Sequence, residues 1–331
     1  MFSKEVSLYK VIAFGALIVL LVMPMFLQKA YYLRIFGIAG IYVMLAVSLN
    51  FISGLAGQFS LGHAAFYGIG AYTAALVSLN FSASFIISIV AGALVSMIAG
   101  VFVGLPAIRL RQVYLAVATL GLGEIVRIVL LNWTDVTRGP MGLPGIPNPL
   151  IFNWEVNSAV EYYYLVLIFA AVTIFVFHAL SRGKLGLVLR AVRDNEQAVR
   201  TTGINTTLYK LLAFVIGGGF AGLAGGLFAF MSSYISPDNF MFNESIIILA
   251  MVVIGGLGSL PGSIVGALLL SLAPEFLRFL DDYRMITFGL MLLLMILFRP
   301  EGLLSEHWAN SFFKKKLSLK PRGINYDIGN N

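Results

Sequence analysis

Apolar runs long enough to cross a bilayer recur along this chain, and that recurrence limits its fold more than any single motif does. A membrane helix needs roughly 20 consecutive, mostly apolar residues to span ~30 Å of hydrocarbon. Candidate spans fall near residues 11–27, 33–52, 60–79, 84–106, 112–131, 161–180, 209–231, 243–258, 261–279 and 284–299. The expected fold is therefore all-α, a polytopic bundle of about ten (8–10) membrane helices. Composition agrees, because 59% of the 331 residues are hydrophobic and 11% charged. A soluble domain carries roughly 25% charged residues to wet its surface, and here lipid removes that requirement.

The net charge of +7 would suggest an acidic partner if the basic residues formed a face, but they sit between the spans. Two segments are rich in them: a loop with Arg182, Lys184, Arg190, Arg193, Arg200 and Lys210, and a tail with Arg299, Lys314, Lys315, Lys316, Lys320 and Arg322. Lysine and arginine are retained in the cytoplasm, so both segments are expected there. Four spans separate them, which returns the chain to the same side, and six spans before the first put the amino end inside as well. That parity requires a break in the run Met251–Leu280 at Gly255–Gly262. The expected organisation is a membrane domain over residues 1–299, with a cytosolic loop at 181–210 and a periplasmic loop at 132–160, and a basic cytoplasmic tail at 300–331. The first apolar run, Val11–Leu27, lacks a small-residue cleavage site and is expected to remain as an uncleaved span. Gly302–Phe313 could alternatively lie at the interface as a short helix with Trp308 and Phe312 against lipid.

Several segments break the apolar pattern. Ser53–His63 puts glycines and polar groups where no soluble loop is needed, and such backbone must be satisfied inside protein or in a wet cavity. Ser60 is placed to cap the helix continuing through Tyr67, leaving a positive helix end near Gln58 and His63. Asn50, Gln58, Ser60, His63 and Tyr67 are the candidate substrate-pathway residues. The other reading of the same segment is close helix packing through small residues. Gly255–Gly262 is a second interruption, with a Gly-Leu-x-Gly core loosely like Gly54–Gly57, as in transporters with paired broken helices.

Glu124 and Arg127 lie three apart in the fifth span and are expected to pair, since an isolated charge mid-membrane costs roughly 2.5–3.5 kcal/mol on insertion scales. The glycine run Gly217–Gly226 is expected to let another helix approach closely. In the cytosolic loop, Asp194 can cap a short helix with Gln197 at its third position, Glu196 and Arg200 can pair four apart, and Gly203 can end it. That surface helix, Asp194–Gly203, is suited to act as a lever for a second protein.

Other chemistries find no support. There is no cysteine, and His63, His178 and His307 are too far apart in sequence to suggest a metal cluster, so no metal site is expected. No phosphate-binding Gly-x-x-x-x-Gly-Lys-Ser/Thr loop and no Gly-x-Ser-x-Gly elbow occurs. No catalytic residue is therefore expected, and any ATP must be hydrolysed by another subunit.

Five stretches together resemble a known family: Leu49–Phe51 with Gly54–Phe66, Thr119–Arg127, Thr137–Pro147, Arg190–Ile204 and Gly255–Gly262. They are similar to the M-type (LivM-type) permease subunits of bacterial branched-chain amino-acid ABC transporters over almost the full chain. The resemblance implies packing in the type II importer manner and a location in the bacterial inner membrane. It implies partners too: a homologous H-type permease, two cytosolic ATPase subunits that hold the ATP and magnesium, and a periplasmic or lipid-anchored binding protein, with no nucleic acid. The segment of Asp194, Glu196, Gln197, Ala198, Arg200 and Gly203 is implied to be the ATPase-coupling helix, although Glu196-Gln197-Ala198 only approximates the family's Glu-Ala-Ala pattern. The implied cargo is leucine, isoleucine and valine. The alternatives are urea or short amides carried by a related permease, or a secondary transporter working alone.

Overall fold

The computed structural model describes residues 20–25, 29–107, 110, 112–151, 154–276, 289–290, 293, 297–298 and 302–304. Nine helices of ten residues or more carry the described fold: α1 (Ala30–Leu49), α2 (His63–Phe81), α3 (Phe85–Ala107), α4 (Gln112–Asn132), α5 (Ala159–Arg182), α6 (Lys184–Thr201), α7 (Thr206–Ser232), α8 (Phe242–Gly255) and α9 (Leu260–Phe276). Seven segments are long and apolar enough to cross a membrane, and Leu260–Phe276 is a shorter apolar helix. These match the expected spans from 33–52 through 261–279. Most of the expected first span, 11–27, and of the tenth, 284–299, lies outside the described residues, as does the tail beyond residue 304. The break needed for parity is present, since α8 ends at Gly255 and α9 begins at Leu260.

Local signals set several helix ends. The Ser158 hydroxyl accepts from the Glu161 amide while the Glu161 carboxylate accepts from the Ser158 amide, a reciprocal cap on α5. Asn205 caps α7 through the Leu208 amide at 3.2 Å.

Helix α7 is the central post, packed against α1, α2 and α3. Its glycines are there because backbones meet: a Cβ on Gly225 would run into the Tyr67 carbonyl, and one on Gly70 would run into the Gly222 backbone. Without a hydrophobic drive between helices in lipid, such close approach supplies the dispersion energy that holds them. The outer faces of α3 and α4 carry exposed Ile87, Phe102, Tyr114 and Val117, apolar side chains that suit lipid or a second subunit.

At the membrane face opposite α6, the loop after α4 folds back as β1 (Leu143–Pro144), β2 (Leu150–Ile151) and β3 (Trp154–Glu155). Here β2 pairs with β3, and β1 pairs antiparallel with β4 (Tyr234–Ile235), setting Leu143 opposite Ile235. From β4 the chain turns inward through a short 3₁₀ turn, Pro237–Phe240, before α8 starts. With 14 residues, α8 is only ~21 Å long, so the span is completed by irregular backbone. Phe240 anchors this third interruption against Tyr67, Tyr72 and Phe228, with ring centroids 5.0, 6.0 and 6.3 Å away.

Candidate functional site

The first interruption leaves the α-helical register at once. Asn50–Leu55 continue α1 as a wider π-helical turn, and an irregular stretch then runs to Gly62. Most of its polar groups are satisfied inside the protein, as lipid demands. The Gln58 amide donates to the Ile52 carbonyl at 3.0 Å, and the Ser53 hydroxyl donates to the Gln58 carbonyl at 3.2 Å. Other helices supply the rest: the Leu61 amide donates to Thr119 Oγ1 and the Ala64 amide to Ser245 Oγ, each at 3.0 Å. His63 Nε2 lies 2.9 Å from the Ser48 hydroxyl.

Ser60 does not cap the following helix. Helix α2 starts at His63, so the capping position falls on Gly62, which has no side chain, and the Ala64 amide is taken by Ser245, 181 residues away. The Ser60 hydroxyl is buried without a partner.

The two expected interruptions and the basic helix converge on Gly54. Asn50 Oδ1 accepts from the Gly258 amide at 2.8 Å, and Arg193 Nη1 of α6 donates to the Gly54 carbonyl at 2.7 Å. A Cβ on Gly54 would overlap Asn50 Oδ1 and the Gly258 amide, so only glycine permits this approach. Gly57, at φ +65°, lies under the Arg193 side chain, and a Cβ there would sit 2.8 Å from Arg193 Cγ. At the second interruption, Gly256 and Gly258 have φ of +117° and +83°. The carboxyl end of α8 is sealed by the Leu303 and Leu304 amides, which donate to the Ile254 and Gly255 carbonyls. Beside this junction a cleft of about 250 Å³ is lined by Asn50, Phe51, His178, Arg182, Arg190 and Ser259, among others.

Helix α6 breaks at Asn195, whose backbone is extended (φ −156°, ψ 96°). The short helix after it is capped by Asn195, which accepts from the Ala198 amide at 3.0 Å, not by Asp194 as the spacing suggested. Asp194 instead lies 3.4 Å from Arg193. An extended backbone at 195 makes 195 the capping position, so the helix starts one residue later than expected. Gly203, at φ +80°, follows the helix end and its amide donates to the Arg200 carbonyl. Val199 buries against Val188 and Val192, while Gln197, Ala198 and Arg200 face outward.

Glu196 pairs with Arg200 at 2.8 Å as expected, and also with the buried Lys210 at 2.5 Å and the Thr206 hydroxyl at 3.1 Å. Burial alone would raise the Glu196 pKa, but Lys210, Arg200 and Thr206 together hold it below the usual carboxylate range. Lys210 and Thr206 were not evident as partners, because they lie beyond the turn that follows the helix.

Of the expected pathway residues, Asn50, Gln58, Ser60 and His63 lie along one buried stretch, and Tyr67 follows one turn into α2, packed tilted against Phe228 and edge-to-face against Phe240. Among these five, only Asn50 lines the 250 Å³ cleft. Glu124 and Arg127 form their own ion pair at 2.7 Å, with Asp238 4.0 Å from Arg127. One intramembrane acid was passed over: Glu244, in the first turn of α8. Among the described residues no group of histidines, aspartates and glutamates could hold a metal ion.

Comparison with known proteins agrees with the geometry. Residues 31–297 match the family described as branched-chain amino acid transport system, permease component. The chain is 40% identical to the high-affinity branched-chain amino acid transport system permease protein LivM of Salmonella typhimurium, over 80% of this chain and 68% of that one. It is 28% identical to the permease protein BraD of Pseudomonas aeruginosa, over 80% and 92%. It is also 25% identical to the permease protein LivH of Salmonella typhimurium, over 80% and 91%. No solved structure matches the chain.

Proposed function

The chain belongs to the branched-chain amino acid transport permease family, and from that premise we propose that it forms one half of the translocation pathway of an ATP-driven importer for leucine, isoleucine and valine. It is a multi-pass membrane protein with a permease role. In this reading it lies in the bacterial inner membrane with both termini in the cytoplasm, residues 1–299 as the membrane domain and 300–331 as a basic tail. Similarity to proteins named LivM and LivH alike supports a homologous second permease, with the pathway running between the two subunits. Two cytosolic ATPase subunits bind the ATP and magnesium, this chain holds no cofactor, and an extracytoplasmic binding protein delivers the solute.

The observation that carries the mechanism is the meeting of Arg193, Gly54 and Gly258. Movement of the outward face of the short helix, Gln197, Ala198 and Arg200, is passed through the kink at Asn195 to the Arg193 guanidinium. Arg193 holds the end of the π-helical turn, and that turn is tied by Asn50 to the second interruption. Irregular backbone with discrete hydrogen bonds can change arrangement where a continuous helix cannot, so this junction is where ATPase closure becomes a change in the membrane helices. Asn50, Gln58, Ser60, His63 and Tyr67 line the moving segment that solute passes.

Purification of the tagged chain in mild detergent, with mass spectrometry of what stays bound, tests the assembly. A second permease and an ATPase are expected, and the associated binding protein should bind leucine, isoleucine and valine. A chain that purifies alone and transports alone in liposomes, or a binding protein that takes urea instead, overturns the reading.

A further inference from the structure

The pairing of Glu124 with Arg127 settles their net charge but not what covers them. Helix α4 is the least buried of the seven spans, and Glu124 stands at the middle of its apolar stretch, Tyr114–Asn132. Contacts identify the inner side of this helix: Thr119 Oγ1 accepts from the Leu61 amide, and a Cβ on Gly123 would meet the Gly62 Cα at 3.4 Å. At about 100° per residue, Glu124 lies roughly 140° around the helix from Thr119, on the outer side.

There Glu124 falls in a stripe with Tyr114, Val117, Gly121 and Ile128, spaced three, four, three and four residues apart. Tyr114, Val117 and Ile128 are exposed, and nothing lies within 4 Å of where a Cβ on Gly121 would stand. The Glu124 side chain is 37% exposed. Both bonds from Arg127, through Nε at 2.8 Å and Nη2 at 2.7 Å, go to Glu124 Oε1, and among the described residues Oε2 accepts none. Hydrocarbon is a poor cover for such a group, because a carboxylate oxygen at mid-membrane depth needs a donor. Water alone is a poor cover for the apolar side chains on either side of it. An alternation of three and four residues is instead the spacing by which one helix buries a seam against another.

We propose that this outer stripe of α4 is the seam on which the homologous second permease packs, enclosing the Glu124–Arg127 pair and donating a hydrogen bond to Glu124 Oε2. This rests on the two-permease reading above. The cover has to be apolar opposite Tyr114, Val117 and Ile128, polar at one level between them, and placed at the depth of the hydrocarbon. Of the subunits in that reading, cytosolic ATPases and an extracytoplasmic binding protein do not reach this depth, and the second permease does.

The chain contains no cysteine, so single ones report without background from it. In membranes holding the complete importer, with its other subunits made cysteine-free, Val117→Cys, Ile128→Cys and a control on α5, Phe175→Cys, are coupled to a benzophenone maleimide, irradiated, and their adducts identified by mass spectrometry. All three positions are exposed in the chain by itself. Val117→Cys and Ile128→Cys should link to the second permease several-fold more than Phe175→Cys does. A second measurement reads the pair: after purification in mild detergent, Glu124→Gln and Arg127→Gln should each retain several-fold less second permease per chain than wild type, since each leaves one charge unpaired inside the interface, and the double variant should recover part of the loss. Adducts from positions 117 and 128 only to lipid or to another copy of this chain, or no stronger than the control, overturn the inference. Unchanged retention in both single variants overturns the enclosure of the pair. A wild-type chain that holds no second permease at all would instead sink the two-permease reading itself.

Discussion

The side chain of Asn50 holds the amide of Gly258, 208 residues away, in a buried hydrogen bond of 2.8 Å. Each belongs to a different interruption in the membrane bundle, so one side chain joins two backbones that lipid could not satisfy. Truncation by Asn50→Ala leaves the Gly258 amide without its acceptor in a buried place, a loss of about 1–3 kcal/mol. Thermal unfolding of the detergent-solubilised protein should show a midpoint several degrees lower, with reduced uptake in the assembled transporter. An unchanged midpoint and unchanged uptake would mean that the two interruptions are not energetically linked.

Arg193 acts on the same junction from α6. Replacing it with Gln removes the guanidinium that donates to the Gly54 carbonyl, a bond worth about 1–3 kcal/mol at most given its partial exposure. The expected outcome is a folded, assembled complex that still hydrolyses ATP but takes up leucine several-fold more slowly. Equal loss of both activities would place Arg193 in assembly instead of coupling.

The glycines separate into those that permit contact and those that do not matter. A methyl group on Gly225 would overlap the Tyr67 carbonyl, so Gly225→Ala must push α2 and α7 apart, at about 1–3 kcal/mol. Gly121 in α4 has nothing within 4 Å of where its Cβ would be. Gly121→Ala should be neutral or stabilise the helix by roughly 0.5–1 kcal/mol. Unfolding midpoints of the two variants, measured side by side, should move in opposite directions or differ by several degrees.

What sequence reading could and could not reach follows from the range of each signal. Spans from 33–52 to 261–279 were legible because hydropathy is additive along the chain and needs no partner. The Glu124–Arg127 and Glu196–Arg200 pairs and the terminating Gly203 were legible because helix geometry fixes neighbours three and four residues apart. Satisfaction of the broken backbone was not, because the donors and acceptors that replace a cap on Ser60 come from Thr119 and Ser245 on other helices. The shift of the cap from Asp194 to Asn195 turned on a single extended residue, which either side chain could have accommodated. The turn at Pro237–Phe240 fell between the expected spans 209–231 and 243–258 and read as an ordinary loop, because hydropathy does not show that polar, irregular backbone is packed inward by the aromatic rings around Phe240.

Glu196 gives the short helix after Asn195 a defined acid response. Its folded pKa is held below the unfolded carboxylate value of about 4.3, so the stability it contributes is complete above that value. It is lost as pH falls through the lower folded value, when protonation breaks the pairs with Lys210 and Arg200. Acid unfolding curves of wild type and Glu196→Gln should therefore diverge above pH ~4 and converge below it. Curves separated by a constant amount down to strongly acid pH would show that the network does not depend on the carboxylate charge.

Gly203 separates local strain from coupling. Its φ of +80° is costly for a branched side chain, about 1–2 kcal/mol, yet nothing lies within 4 Å of where a Cβ would stand. In the isolated chain, Gly203→Asn should be close to neutral, since asparagine tolerates this region, and Gly203→Val should lower stability only by the strain. In the importer proposed above, an ATPase groove would close around the short helix beside Gly203. Both variants should then slow leucine uptake relative to ATP hydrolysis, valine more than asparagine, by more than the isolated-chain stabilities account for. Uptake that tracks stability alone would show that Gly203 only ends the helix, and that the ATPase contact lies elsewhere on the segment.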